Sequence, residues 1–265
     1  MPEIEKETDV EAAPEDLYSG LDDHFIASAV LGYLDYDAQL QAIESLIRHH
    51  RKLNEDHSKQ IQKLEEFSKR SSDSANERAI EDLIDHYHHS VFQHAAHSMA
   101  AVGMLAPFIE SLFYQAFKGI SVFFEERGHP LELSSRAKLK DQKREWNCHY
   151  VSTSPEKANL VEGIMELAEK TGLITFMPKD IRTVLTALFG YRNKMFHNGF
   201  EWPKEKRKKF AARLATKEWP EEWFSEASSN DEPWVFYFTD TFIDHCLTTI
   251  EGVLTGLGAY VRKHR

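Results

Sequence analysis

From Asp37 to about Arg70, the side chains Leu40, Ile43, Ile47, His50, Asn54, His57, Ile61 and Leu64 return at steps of three and four residues. That period is the seam of one long helix, and a helix of this length must lay its seam against a partner. The middle of the seam is polar, which disfavours a dedicated two-stranded coiled coil and predicts an antiparallel neighbour. Ser71-Ser72-Asp73-Ser74 reads as the turn into that neighbour, a helical stretch from about Ala75 to Glu126. Pro107 inside it is expected to kink the helix or split it in two, and Gly128-His129-Pro130 to end it.

The rest of the chain continues in helical periods. Residues 131–156 are polar and weakly patterned, and Ser154-Pro155-Glu156 reads as the start of a helix that stops at Gly172. A helix over 178–199 carries Ile181, Val184, Leu185, Leu188 and Phe189 on one stripe and ends at Asn198-Gly199. A basic helix over about 203–217 follows, then a short turn after Trp219-Pro220. The last helix is read from Pro233 to the C-terminus through Val235, Phe238, Phe242, Cys246, Ile250, Val253 and Leu257. Trp234 to Phe238 has strand propensity, but the helical spacing beyond it favours helix. The fold class is all-α, a helical bundle with an N-terminal helical extension. Residues 1–20 form an acidic tail, 21–90 the extension and 91–265 the bundle.

A net charge of −11 argues against attraction of the whole surface to nucleic acid or anionic lipid, though not against a local basic patch. Two cysteines, Cys148 and Cys246, without metal or redox spacing fit a reducing compartment. The N-terminal residues carry no apolar run and predict no secretory leader. The most apolar window, Met99 to Phe117, holds Pro107, Glu110 and Gln115 and is too polar for a membrane span. The expected location is the cytoplasm, with no membrane partner.

Arg192-Asn193-Lys194-Met195-Phe196-His197 is the segment that points to chemistry. Spacing alone decides nothing, because Arg followed five to seven positions later by His also occurs at Arg51…His57 and Arg144…His149, and roughly two such pairs arise by chance. Context separates them. Arg192 lies eleven residues beyond Ile181, a rotation of about 20°, so it sits on the apolar stripe of its own helix. An arginine there needs a carboxylate, a phosphate or water. Asn193 and His197 share a face, and His197 occupies the last turn, where the helix dipole favours imidazolium and Arg192 opposes it. Upstream, Ala106, Glu110, Phe113, Phe117, Ile120 and Phe124 form a stripe on which Glu110 is the only charge. Glu110 and Arg192 are therefore expected to meet. The competing reading is a buried ion pair that only fixes helix register.

A Glu on an apolar helix, a later helix ending Arg-Asn-x-x-x-His and one closing helix resemble the HEPN superfamily of helical bundles, over about residues 95–262. The resemblance implies a metal-independent endoribonuclease of toxin or antiviral defence type, working as a homodimer. Its catalytic set would be Arg192, Asn193 and His197, with Glu110 as orienting partner. It implies no cofactor, and as partners an RNA substrate, a second copy of the chain and an antitoxin or regulatory protein. Other members are catalytically silent nucleotide-binding or interaction modules, and that is the alternative. The residue types suit the chemistry. Cleavage without metal needs the 2′-hydroxyl deprotonated, the phosphate charge neutralised and the 5′-oxygen protonated. A histidine and an arginine fork can serve those needs.

Lys206, Lys209, Arg213 and Lys217 read as one basic face just after His197, either a solvated helix or an RNA-backbone tracker. Trp202, Trp219, Trp223 and Trp234 flank it, and packing is preferred to base stacking. His86, His88, His89, His94 and His97 crowd one helix with Asp82 and Asp85. No second helix supplies an obvious Glu-x-x-His partner, so a polar helix face is preferred to a metal site.

Overall fold

The computed structural model describes residues 20–70, 74–126, 146–151 and 159–264. The expectations for the acidic tail before Gly20, the turn over 71–73, Gly128-His129-Pro130, Arg144 and Ser154-Pro155-Glu156 lie outside those residues, as does most of the polar stretch 131–156.

Among the described residues the chain is mostly helical. A short helix α1, Asp23–Ala27, is capped by Asp22, whose side chain accepts from the His24 backbone N–H. Then come α2, Tyr36–Arg70, and α3, Ser74–Glu126. Their contacts run in opposite directions along the two helices, from Tyr36 with Ser111, through His50 with His97, to His57 with His86. This is the antiparallel partner that the polar seam requires. α3 runs unbroken across residue 90 and through Pro107, so of the kink or split expected there the split does not occur. Pro107 faces solvent, where a lost intrahelical hydrogen bond costs least because water is at hand.

Leu105, Leu112, Phe113, Phe117 and Ile120 of α3 are fully buried. The apolar stretch Ile80–Glu126 is long enough to cross a membrane by composition, yet just over half of its most apolar window is buried inside the fold. Packed on α3 are α4, Leu160–Thr171, and α5, Ile181–Asn198. The Asn159 side chain caps α4 by accepting from the Glu162 N–H, and Gly172 ends it in the left-handed conformation at φ 78°. The basic helix α6, Lys204–Ala215, and the closing helix α7, Asp240–His264, complete the set.

The closing helix starts seven residues later than its periodicity suggests. Pro233 to Phe238 belong instead to β2, Glu232–Phe238, which pairs antiparallel with β1, Phe224–Ser229. Asn230 and Asp231 take φ 52° and 59°, the left-handed pair of a tight hairpin turn. Side chains cover the free edge of β2. The Tyr191 hydroxyl donates to the Phe236 carbonyl at 2.9 Å, and the Ser98 hydroxyl accepts from the Phe238 N–H at 2.8 Å. These tertiary partners override the local helical spacing. Phe242, Cys246, Ile250, Val253 and Leu257 do line the buried face of α7.

Candidate functional site at the end of helix α5

The last turns of α5 carry Leu188, Tyr191 and Met195 inward, each fully buried. Arg192 sits on the flank of that face. Its Nη1 donates to Glu110 Oε2 on α3 at 3.3 Å, and its guanidinium lies 5.8 Å from the centre of the Phe189 ring. The side chains are 35% and 26% exposed, so the pair is open to water rather than a sealed core pair. The two residues meet as expected, and the burial that the competing, register-fixing reading assumed is not seen. An arginine that keeps water access retains donors for a ligand.

The other oxygen of Glu110 is also engaged. His149 Nε2 lies 3.0 Å from Glu110 Oε1, with the imidazole 40% exposed. His149 belongs to a short segment, Trp146 to Val151, held by its own apolar residues. Cys148 and Val151 are buried, and Trp146 packs on Phe124 with ring centres 5.5 Å apart. A Cβ at Gly163 of α4 would overlap the Cys148 carbonyl oxygen, so glycine there lets the segment sit directly against the helix. Burial pushes the Cys148 thiol up to about 12, which leaves it protonated and unreactive at neutral pH. In the sequence His149 is only the second member of a chance Arg–His pair. The signal that could have found it is the apolar spacing of Trp146, Cys148 and Val151 within polar surroundings.

Asn193 and His197 are both exposed and lie about 100° and 140° around α5 from Arg192. Among the described residues no hydrogen bond or ion pair joins either to Arg192, Glu110 or His149. Between the two faces, Phe196 reaches back over α3, its ring tip 3.7 Å from where a Gly103 Cβ would stand. Of the expected catalytic set, therefore, one chain brings Glu110 and Arg192 together and leaves Asn193 and His197 at the surface one face away.

The basic helix follows at once. Asn198 Oδ1 accepts from Lys206 Nζ at 2.9 Å, which ties the start of α6 to the end of α5. Lys206 and Lys209 are exposed, while Arg213 and Lys217 are held differently. Arg213 is spent on Glu218, with two contacts of 2.5 Å, and stacks 4.0 Å over Trp219. The hydrogen bond from Arg213 holds the Glu218 carboxyl below its usual range. Lys217 lies beyond the helix end, at φ 54° in a turn. Trp202, Trp219 and Trp223 are buried, which fits packing, while half-buried Trp234 bonds Glu201 and meets the rings of His88 and Phe92.

The histidines of α3 meet those on the polar seam of α2. His57 of α2 places Nε2 3.4 Å from His86 Nδ1 and its ring 5.4 Å from that of His89. His97 is buried, with Nε2 3.6 Å from Asp240 Oδ1, an ion contact beyond hydrogen-bond length. No group of three or more ligand side chains is arranged to hold a metal among the described residues. Burial, and then neighbouring histidines, push His50 and His57 below the ordinary imidazole value; His94 is shifted the same way, chiefly by burial.

No family model, curated protein or solved structure matches this chain.

Proposed function

We propose that the chain is a metal-independent endoribonuclease of HEPN type that acts as a homodimer. The observation that carries this reading is the half-open Glu110–Arg192 pair at the base of the turn that presents Asn193 and His197. A carboxylate orients the guanidinium through one donor and leaves its other donors for a phosphate. His197, exposed in the last turn, serves proton transfer, and Asn193 on the same face serves as a polar contact to the substrate. Lys206 and Lys209 beside them supply backbone attraction in an otherwise acidic protein. A single chain leaves His197 one helix face from Arg192. A two-fold axis near the end of α5 would set each His197 against the partner's copy of the site.

The test is incubation of purified protein with mixed RNA in excess chelator, alongside His197→Ala. Cleavage by the wild type and its loss in the variant support the reading. Cleavage that persists in His197→Ala but stops in chelator contradicts it. The second reading is a catalytically silent binding module, favoured by the fact that Arg192 already has a protein partner. Tight binding of RNA or nucleotide by a folded dimer without turnover would select it.

A further inference from the structure

The cleavage chemistry needs two proton-transfer groups, and α5 offers one histidine. One proton must leave the 2′-oxygen as it attacks phosphorus. Another must reach the 5′-oxygen as the phosphorus–oxygen bond breaks. The products are a 2′,3′-cyclic phosphate and a 5′-hydroxyl, with no change in oxidation state and no water consumed. We infer that His149 is the general base of this reaction, aligned by Glu110, and that His197 is the acid. The inference rests on the ribonuclease reading.

Three features carry it. First, His149 and Arg192 are anchored on the two oxygens of one carboxylate, at 3.0 and 3.3 Å. A phosphate bound on the guanidinium therefore lies beside the imidazole. Second, an ionised carboxylate can only accept, so Glu110 Oε1, 3.0 Å from Nε2 of His149, favours the tautomer that carries the proton on Nε2. In the neutral ring the lone pair then resides on Nδ1, the tautomer a general base needs. Third, the imidazole is 40% exposed, which leaves it within reach of a ribose. A histidine present only to pack its segment would need none of these, because Trp146, Cys148 and Val151 already anchor it. His197 is left with the leaving group. It has no hydrogen-bond or ion-pair partner among the described residues and is free to meet the 5′-oxygen.

The discriminating substrate carries sulfur in place of the bridging 5′-oxygen. A thiolate leaves without a proton, so loss of the acid is rescued and loss of the base is not. His149→Gln keeps a donor for Glu110 and removes the proton acceptor. It should lower kcat/KM on ordinary RNA by on the order of 10²-fold, flatten the acid limb of the pH–rate profile and leave the melting temperature unchanged. On the sulfur substrate His197→Ala should recover to near wild-type rate while His149→Gln stays impaired. Wild-type cleavage with an equally active His149→Gln overturns the inference alone, and so does rescue of His149→Gln by sulfur. A folded wild-type protein that cuts no RNA overturns the ribonuclease reading and the inference together.

Discussion

Arg192 on α5 donates to Glu110 on α3 across 3.3 Å, although 82 residues separate them in the chain. Because both side chains keep water access, the pair contributes little to stability, on the order of 0–1 kcal/mol. Arg192→Ala should therefore melt close to wild type and yet lose about 10²-fold or more in RNA cleavage. Parallel melting and kinetic measurements on the one variant separate the two effects. A large loss of stability would return the pair to a register-fixing role.

Gly163 makes a second, longer-range demand on the site. Alanine there would drive a methyl group into the Cys148 carbonyl and push the Trp146 to Val151 segment off α4. Gly163→Ala should cost about 1–3 kcal/mol and carry His149 away from Glu110. A crystal structure of the variant checks the displacement. An unmoved His149 would mean that α4 gives way instead.

Helix positions were legible from the chain because an amphipathic period reports burial locally. The α2 seam, the Gly172 stop and the buried face of α7 all follow from residues within one element. What escaped depended on distant partners. Pro233 to Phe238 became a strand because Tyr191 and Ser98 satisfy its edge, and nothing within those six residues records that. Glu110 and Arg192 could be paired in advance because each was the odd charge on an apolar stripe. His149 could not, because its segment lies in a weakly patterned stretch and is placed by a backbone contact with Gly163. The basic face was overcounted for a related reason. The partner of Arg213 is Glu218, in the turn beyond the helix, where face counting does not look.

The hairpin edge gives a stability prediction. Tyr191 is fully buried, and its hydroxyl donates to the Phe236 carbonyl. Tyr191→Phe removes that donor and leaves the carbonyl short of it, at a cost of about 1–3 kcal/mol. Chemical denaturation reads the change. A neutral substitution would show that Phe236 finds another donor.

The histidines of α2 and α3 should make stability depend on pH. His50, His57 and His94 have folded-state values below about 6.5, the ordinary imidazole value they regain on unfolding. The unfolded chain then binds more protons as pH falls through that value, so this stability is fully present above about 6.5 and is lost below it. Asp240, whose carboxyl is lowered first by its contact with His97 and also by Arg51, acts in the same direction but only in the carboxylate range. The melting temperature should therefore fall between pH 7.5 and pH 5.5, and His57→Gln should flatten that slope. A melting temperature that rises on acidification would contradict the direction assigned to these groups.

Lys206→Gln with Lys209→Gln should weaken RNA binding without changing the chemical step. Each lost phosphate contact lowers the slope of log affinity against log salt by roughly 0.7 for single strands. Binding titrations across salt concentrations measure this directly. An unchanged slope would place the RNA elsewhere on the surface.

The decisive experiment is end-group analysis of a short RNA with one cleavable linkage, incubated with the chelator-treated protein. The expected products are a 2′,3′-cyclic phosphate and a 5′-hydroxyl, with none from the matched 2′-deoxy substrate, because the attacking group is the substrate's own 2′-hydroxyl. Cleavage of the 2′-deoxy linkage, or a 3′-hydroxyl with a 5′-phosphate from RNA, would require an external nucleophile and contradict the roles assigned to Arg192, His149 and His197.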